Sequence, residues 1–307
     1  MATLTTESVN PRSTEIDRLH PLEIVRLINR EDRMVNDAVA KAELQIARTV
    51  ELVEEAFRGG GRLIYIGAGT SGRLGVLDAS ECPPTFGTPP ELVVGLIAGG
   101  DAALRRAIEG AEDNPDSGAD DLRKIGLTFR DVVIGIATSG RTPYVLGGLQ
   151  YARTVDATTI GLVCNADSEL EPLSDVVICA VVGSEIVSGS TRLKAGTATK
   201  LILNSITTAA MIRMGKTYGN LMVDVRATNE KLVARSRRLV RMLTGLSEAD
   251  ADQLLHWAAG GVKVAIVMHH RSVDAQAAEE LLKTAGGHLR KVIGDVPVID
   301  LSARSVS

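Results

Sequence analysis

Residues 67–72 read Gly-Ala-Gly-Thr-Ser-Gly and satisfy the dinucleotide pattern G-x-G-x-x-G. The apolar run Leu63–Ile66 precedes them and a helical stretch follows, as a nucleotide loop would require. The acidic residue that should grip a ribose at the end of the next strand is missing. That strand runs out in Ile97-Ala98-Gly99-Gly100, and Asp101 beyond it reads as a helix N-cap. Repetition is the more telling feature. Thr70-Ser71-Gly72-Arg73 recurs as Thr138-Ser139-Gly140-Arg141, again between an apolar strand and a helix. Ser188-Gly189-Ser190-Thr191-Arg192 is a third hydroxyl-rich loop before a helix. Taken singly, each reads more readily as a helix cap. Together they would gather hydroxyls and backbone N–H groups at one edge of a sheet, which makes a nest for a phosphate.

Two glutamates could supply acid–base chemistry. Glu81 stands in Ala79-Ser80-Glu81-Cys82-Pro83-Pro84, where the prolines are expected to end its helix and fix its carboxyl. Glu112 stands in Glu109-Gly110-Ala111-Glu112-Asp113, where Gly110 is expected to interrupt a helix. By residue type alone, each reads more readily as a surface charge. Cys82 has no histidine near it in sequence and reads as a small buried residue. His269-His270 lacks a third ligand at metal spacing and reads as surface.

These residues must be held by something, and the composition bounds what. The chain has 307 residues, of which 45% are hydrophobic and only 3% aromatic. A core of Ala, Val, Ile and Leu suits a parallel α/β sheet buried on both faces. The formal net charge of −4 steers the molecule to neither nucleic acid nor acidic lipid. The basic run Arg235-Ser236-Arg237-Arg238 reads as a solvated helix face. The cysteine count is odd, at three, with no C-x-x-C pair, so a disulfide framework is not expected. No apolar run reaches the ~18 residues of a membrane span. The first residues show no basic-then-apolar leader, which leads us to expect a cytoplasmic protein.

Short apolar runs at 63–66, 92–97, 132–136, 159–163 and 176–179 alternate with helical patterns, which predicts a doubly wound, mainly parallel five-stranded sheet. Helical spacing over Pro21–Arg58 predicts two helices after a polar arm, closed by Gly59-Gly60-Gly61. The expected organisation is an arm with helices over 1–58 and a phosphate-binding sheet domain over 59–216. A connecting helix over 217–245, a small helical subdomain over 246–298 and a tail over 299–307 follow. Ser247 is expected to cap a helix. Val262–Met268 has local strand propensity inside a region otherwise helical.

Long blocks of the chain resemble one family. Gly67–Gly75, Asp78–Thr85, Glu109–Asp113, Ser139–Tyr144, Gly189–Thr197, Gly219–Asp224 and Ala227–Leu232 look like the N-acetylmuramic acid 6-phosphate etherases of the sugar isomerase (SIS) phosphosugar-binding superfamily. The resemblance runs over roughly residues 15–235. It implies a lyase that opens a D-lactyl ether by elimination across C2 and C3 and then adds water, with neither metal nor redox cofactor. It makes Glu81 the proton donor and Glu112 the base. It places Thr70, Ser71, Thr138, Ser139, Thr142, Ser190, Thr191 and Lys194 against a small-molecule 6-phosphosugar, with Arg192 beside Lys194 as a further candidate cation. It implies a homodimer with the active site near the interface, and no nucleic-acid or membrane partner. The regulatory protein of glucokinase shares this ancestry, so a phosphosugar sensor without turnover is the alternative. An aldose–ketose phosphate isomerase is a third reading.

Overall fold

The structure, a computed structural model, describes residues 5–224 and 230–295, with the backbone alone of Lys231. Ala227-Thr228-Asn229 and the expected tail at 299–307 lie outside the described residues. The chain divides into two compact units. One holds the residues before 82 together with 90–210; the other holds 82–89 together with the residues after 210.

The first unit is built around a sheet: α1 (Pro21–Ala40) and α2 (Glu43–Arg58) lead into β1 (Leu63–Gly67), and the ends of two of the helices that follow, beyond residues 81 and 210, belong to the second unit. Then follow α3 (Gly69–Phe86), β2 (Val93–Ile97), α4 (Ala102–Arg105), α5 (Pro115–Lys124), β3 (Val132–Ile136), α6 (Pro143–Thr154), β4 (Thr158–Val163), β5 (Val176–Cys179) and α7 (Lys194–Arg213). The five strands lie in the order β2-β1-β3-β4-β5, with every neighbouring pair parallel. β1 and β3 are buried along their whole length, which is why they read as unbroken apolar runs. Alternate side chains serve opposite faces. Ile64, Ile66 and Val133 join Leu122 of α5 and Val145 and Leu149 of α6. Tyr65 takes the other face, and its hydroxyl donates to Asp78 of α3 at 2.8 Å. The winding reverses between β1 and β3, so the crevice beyond their carboxyl ends is where such a sheet holds ligands.

Local chemistry sets the helix starts. Before α1, His20 and Glu23 form a reciprocal capping box and Pro21 occupies the first helical position. Asn114 caps α5 by accepting from the Asp116 and Ser117 N–H groups at 3.0 and 3.4 Å.

Local expectations are corrected at several points. α3 does not stop at Pro83-Pro84 but runs to Phe86, where the Gly87 N–H donates to the Pro83 carbonyl at 2.9 Å. A proline denies a bond to the carbonyl four residues back, and near a helix end that loss leaves the last turn intact. α4 ends at Arg105, because Arg106 is extended, so no helix reaches Gly110. Asp101 stands at the N-cap of α4 without a side-chain bond. The polar arm is docked: Thr6, Asn10 and Ser13 are buried, and the Ser13 hydroxyl donates to the Ile186 carbonyl at 2.8 Å.

The second unit carries α8 (Glu230–Thr244), α9 (Glu248–Trp257), α10 (Val262–Arg271), α11 (Ala275–Thr284) and α12 (Leu289–Ile293). Its core includes Val240, Leu243, Ala251, Ala265, Ile266 and Ala278. Ser247 caps α9 as expected, accepting from the Asp250 N–H at 3.2 Å. Val262–Met268 is helical despite its β-branched residues, because its apolar side chains face this core at helical spacing. No helix among the described residues is long and apolar enough to cross a membrane.

Candidate functional site

Three of the loops that leave the carboxyl ends of strands carry the hydroxyl clusters. After β1, Thr70 and Ser71 fall in the first turn of α3 and are half-buried. Gly72 permits this: a Cβ there would lie 2.6 Å from the Gly67 carbonyl oxygen and 2.7 Å from Ile97, so only glycine lets α3 settle against the strand ends. After β3, Thr138 and Ser139 precede Gly140, whose φ of +73° and closeness to Ser168 exclude a side chain. Asn165 fixes this loop, donating from Nδ2 to the Thr138 carbonyl at 2.8 Å. Asn165 is held in turn by the docked arm, accepting from the Thr6 N–H at 3.2 Å. The Ser139 hydroxyl accepts from the Arg141 N–H at 3.3 Å. Thr142 sits at the N-cap of α6 but makes no side-chain cap bond.

The third loop, with Ser190 and Thr191, follows β5. It meets the first at Gly196, where a Cβ would lie 3.5 Å from the Thr70 methyl. Among the described residues, the hydroxyls of Thr70, Ser71, Thr138, Thr142, Ser190 and Thr191 have no hydrogen-bond partner within the chain. Helical hydroxyls elsewhere in this unit, such as Thr49, Thr199 and Ser205, bond back to the carbonyl four residues earlier. The strand-end hydroxyls are thus available to a ligand.

Two of the expectations change at the third loop. The N-terminus of α7 is taken by Glu185, a fully buried carboxylate that accepts from the Lys194 and Ala195 N–H groups, both at 3.0 Å. Lys194 does not offer its ammonium to the loop. It is 1% exposed, and Nζ lies 2.9 Å from Oε2 of Glu31 on α1. Glu31 also accepts from Asn10 and Arg12. Burial alone would push its carboxyl up, but the bonds from Lys194, Arg12 and Asn10 bring it below the ordinary carboxylate range. Arg192, the other candidate cation, is exposed. Glu31 is distant in sequence from the loop it supports, and no local motif marks either Glu31 or Glu185.

Glu112 lies in an exposed turn between α4 and α5. Its carbonyl accepts from the Tyr144 N–H at 3.0 Å, which ties the turn to the first turn of α6. Tyr144 is fully buried and its hydroxyl donates to Asp121 at 2.8 Å. Glu112 borders a pocket of about 170 Å³ between the ends of β1 and β2, lined also by Gly69, Ala98 and Glu109. Glu81 is exposed on α3 and is not among the residues lining it; ten residues past Ser71, it stands about 15 Å further along the helix axis. Asp78, one turn earlier on α3, is buried between β1 and α7. Burial pushes its carboxyl up, offset in part by bonds from Tyr65, Asn204 and Thr207. Cys82 is buried, and His269 and His270 are exposed. Among the described residues no cluster of three metal-ligating side chains occurs.

The sequence model of the SIS domain matches residues 119–209, and that of the glucokinase regulatory protein N-terminal SIS domain matches 45–153. A phosphoheptose isomerase from Francisella tularensis shares the fold, with a TM-score of 0.52 at 17% identity, over 63% of this chain and 100% of that one. The N-acetylmuramic acid 6-phosphate etherase of Rhodopirellula baltica is 60% identical over 290 residues, 94% of this chain and 96% of its own length. That of Brucella anthropi is 57% identical over 290 residues, 94% of each chain. The chain belongs to the N-acetylmuramic acid 6-phosphate etherase family.

Proposed function

We propose that the protein is a cytoplasmic carbon–oxygen lyase that cleaves the D-lactyl ether of N-acetylmuramic acid 6-phosphate. The products are N-acetylglucosamine 6-phosphate and D-lactate. The observation that carries this reading is a carboxylate, Glu112, on the lip of a pocket beside uncommitted hydroxyl loops, in a chain of this family.

The hydroxyls of Thr70, Ser71, Thr138, Ser139, Thr142, Ser190 and Thr191 receive the 6-phosphate, with the open first turns of α3 and α6 behind them. Lys194 acts at one remove, holding α1 to the start of α7 through Glu31. An ether resists hydrolysis because an alkoxide leaves poorly. Ring opening exposes the C1 aldehyde, which acidifies the C2 proton. Glu112 removes that proton. Glu81, reaching in from the second copy of the proposed dimer because within one copy it stands apart from the pocket, protonates O3 as a carboxylic acid while the C3–O3 bond breaks, and lactate departs with that oxygen. Water then adds at C3 of the unsaturated aldehyde, and a proton returns to C2. One carboxylate and one carboxylic acid suffice for these proton transfers. The enzyme works as a homodimer whose interface lies near the active site.

The test is release of D-lactate when purified protein meets N-acetylmuramic acid 6-phosphate. Ligand-dependent thermal stabilisation without lactate would instead favour a phosphosugar sensor. An isomerised sugar of unchanged mass would favour an isomerase.

A further inference from the structure

The pocket that Glu112 borders contains a positively charged group with no part in the scheme above. Alanines form one side of its wall, among them Ala68, Ala98, Ala103 and Ala107, and its one cationic lining residue is Arg73. Arg73 stands in the first turns of α3, half-buried, directly after the first hydroxyl loop. Its guanidinium makes two long bonds to neutral carbonyls: Nε to Leu104 at 3.3 Å and Nη2 to Arg106 at 3.4 Å. A guanidinium has five N–H donors, so most of its capacity is unspent. Arg62 pairs with Asp131 at 2.8 Å, and Arg141, the counterpart of Arg73 in the repeated tetrapeptide, faces Glu169 at 3.5 Å. Among the described residues no carboxylate lies within 4.0 Å of the Arg73 guanidinium.

We propose that this pocket is the lactyl subsite, with the methyl of the O3 substituent against the alanine wall and its carboxylate on the Arg73 guanidinium. The inference rests on the functional reading given above. C2 and C3 are bonded neighbours, so a group on O3 must lie within a few bonds of the carboxylate that faces C2. Glu112 and Glu109 line the same pocket and would repel a third carboxylate there. An uncommitted guanidinium, able to grip a carboxylate through two N–H groups, offsets that repulsion. Arg73 would then set specificity: it distinguishes the lactyl substrate from the phosphosugar that lacks it.

Steady-state kinetics on two substrates test this. One is N-acetylmuramic acid 6-phosphate; the other is its lactamide, in which a neutral amide replaces the carboxylate. N-acetylglucosamine 6-phosphate, which has no lactyl group, serves as a competitive inhibitor. Arg73→Gln should lower kcat/KM for the acid by about 10- to 100-fold. It should also erase most of the wild-type preference for acid over amide, a ratio that mere loosening of the Leu104–Arg106 loop would not move. Inhibition by N-acetylglucosamine 6-phosphate should stay within about threefold of wild type. Ala107→Leu, which fills the pocket without touching charge, should raise KM for both substrates and spare the inhibitor. An acid-over-amide preference that survives in Arg73→Gln would overturn the proposal. So would an equal loss on substrate and inhibitor, which would move Arg73 to the phosphate. A wild-type protein that releases no lactate from the acid would overturn the functional reading itself, and this inference with it.

Discussion

Glu112 owes its position to its main chain. The Tyr144 N–H holds its carbonyl at 3.0 Å, so the turn is fixed while the carboxylate stays exposed at the pocket. Glu81 is carried by the same helix that begins with Thr70 and Ser71. The two carboxylates should therefore separate kinetically. Glu112→Gln should abolish exchange of the C2 proton with deuterated solvent along with turnover. Glu81→Gln should slow lactate release by at least ~100-fold while C2 exchange persists, since the base is untouched. Proton NMR at C2 and a lactate assay read the two steps. Loss of exchange in both variants would mean that the roles are not divided in this way. The hydroxyl loops were legible in sequence because they follow apolar strands directly and one of them repeats the other. Glu185 and Glu31 were not, since their partners lie 9 and 163 residues away.

At the scale of elements, the Glu31–Lys194 pair joins α1 to the start of α7, with side chains 2% and 1% exposed. Removing one partner leaves a buried charge. Lys194→Met or Glu31→Leu alone should cost about 3–5 kcal/mol, while the double variant should cost less than the sum of the two. Urea unfolding midpoints measure this, and strict additivity would deny the coupling. The pair also sets a pH response. The Glu31 carboxyl is held below its ordinary value of 4.5 in the folded chain. The unfolded chain therefore takes up its proton first on acidification. The contribution of Glu31 is complete above that ordinary value and fades as pH falls through the lower, folded one. The double variant should lose less stability than the wild type over that acid window.

Strand positions were read correctly because parallel strands are apolar throughout. The extent of α3 was not, because a pair of prolines near a helix end breaks fewer bonds than a pair in its middle. Asp101 shows the converse: a good capping residue at the right place forms no cap, since its backbone is helical (φ −55°, ψ −31°) and not in the extended conformation a cap needs.

For the whole molecule, the first two helices keep apolar side chains in water: Leu22, Val25 and Met34 on α1, and Leu44, 76% exposed, on α2. A second copy of the chain would cover such a face, in keeping with the homodimer proposed above. Light scattering at micromolar protein should give about twice the 32.5 kDa chain mass, and Leu22→Glu with Val25→Glu should halve it. A wild-type mass of one chain would remove the dimer from the proposal. The split of the chain at residue 210 is spatial, and nothing in the composition of α7 announces it.

Glu185 has a consequence for how the site treats charge. Its carboxylate is a tenant of α7 that no dilution or salt can evict, because it is part of the chain. Of the three helix ends that follow hydroxyl loops, one has been furnished with its anion during folding. A phosphate arriving from solution therefore meets, at the start of α7, a carboxylate already seated on the backbone N–H groups.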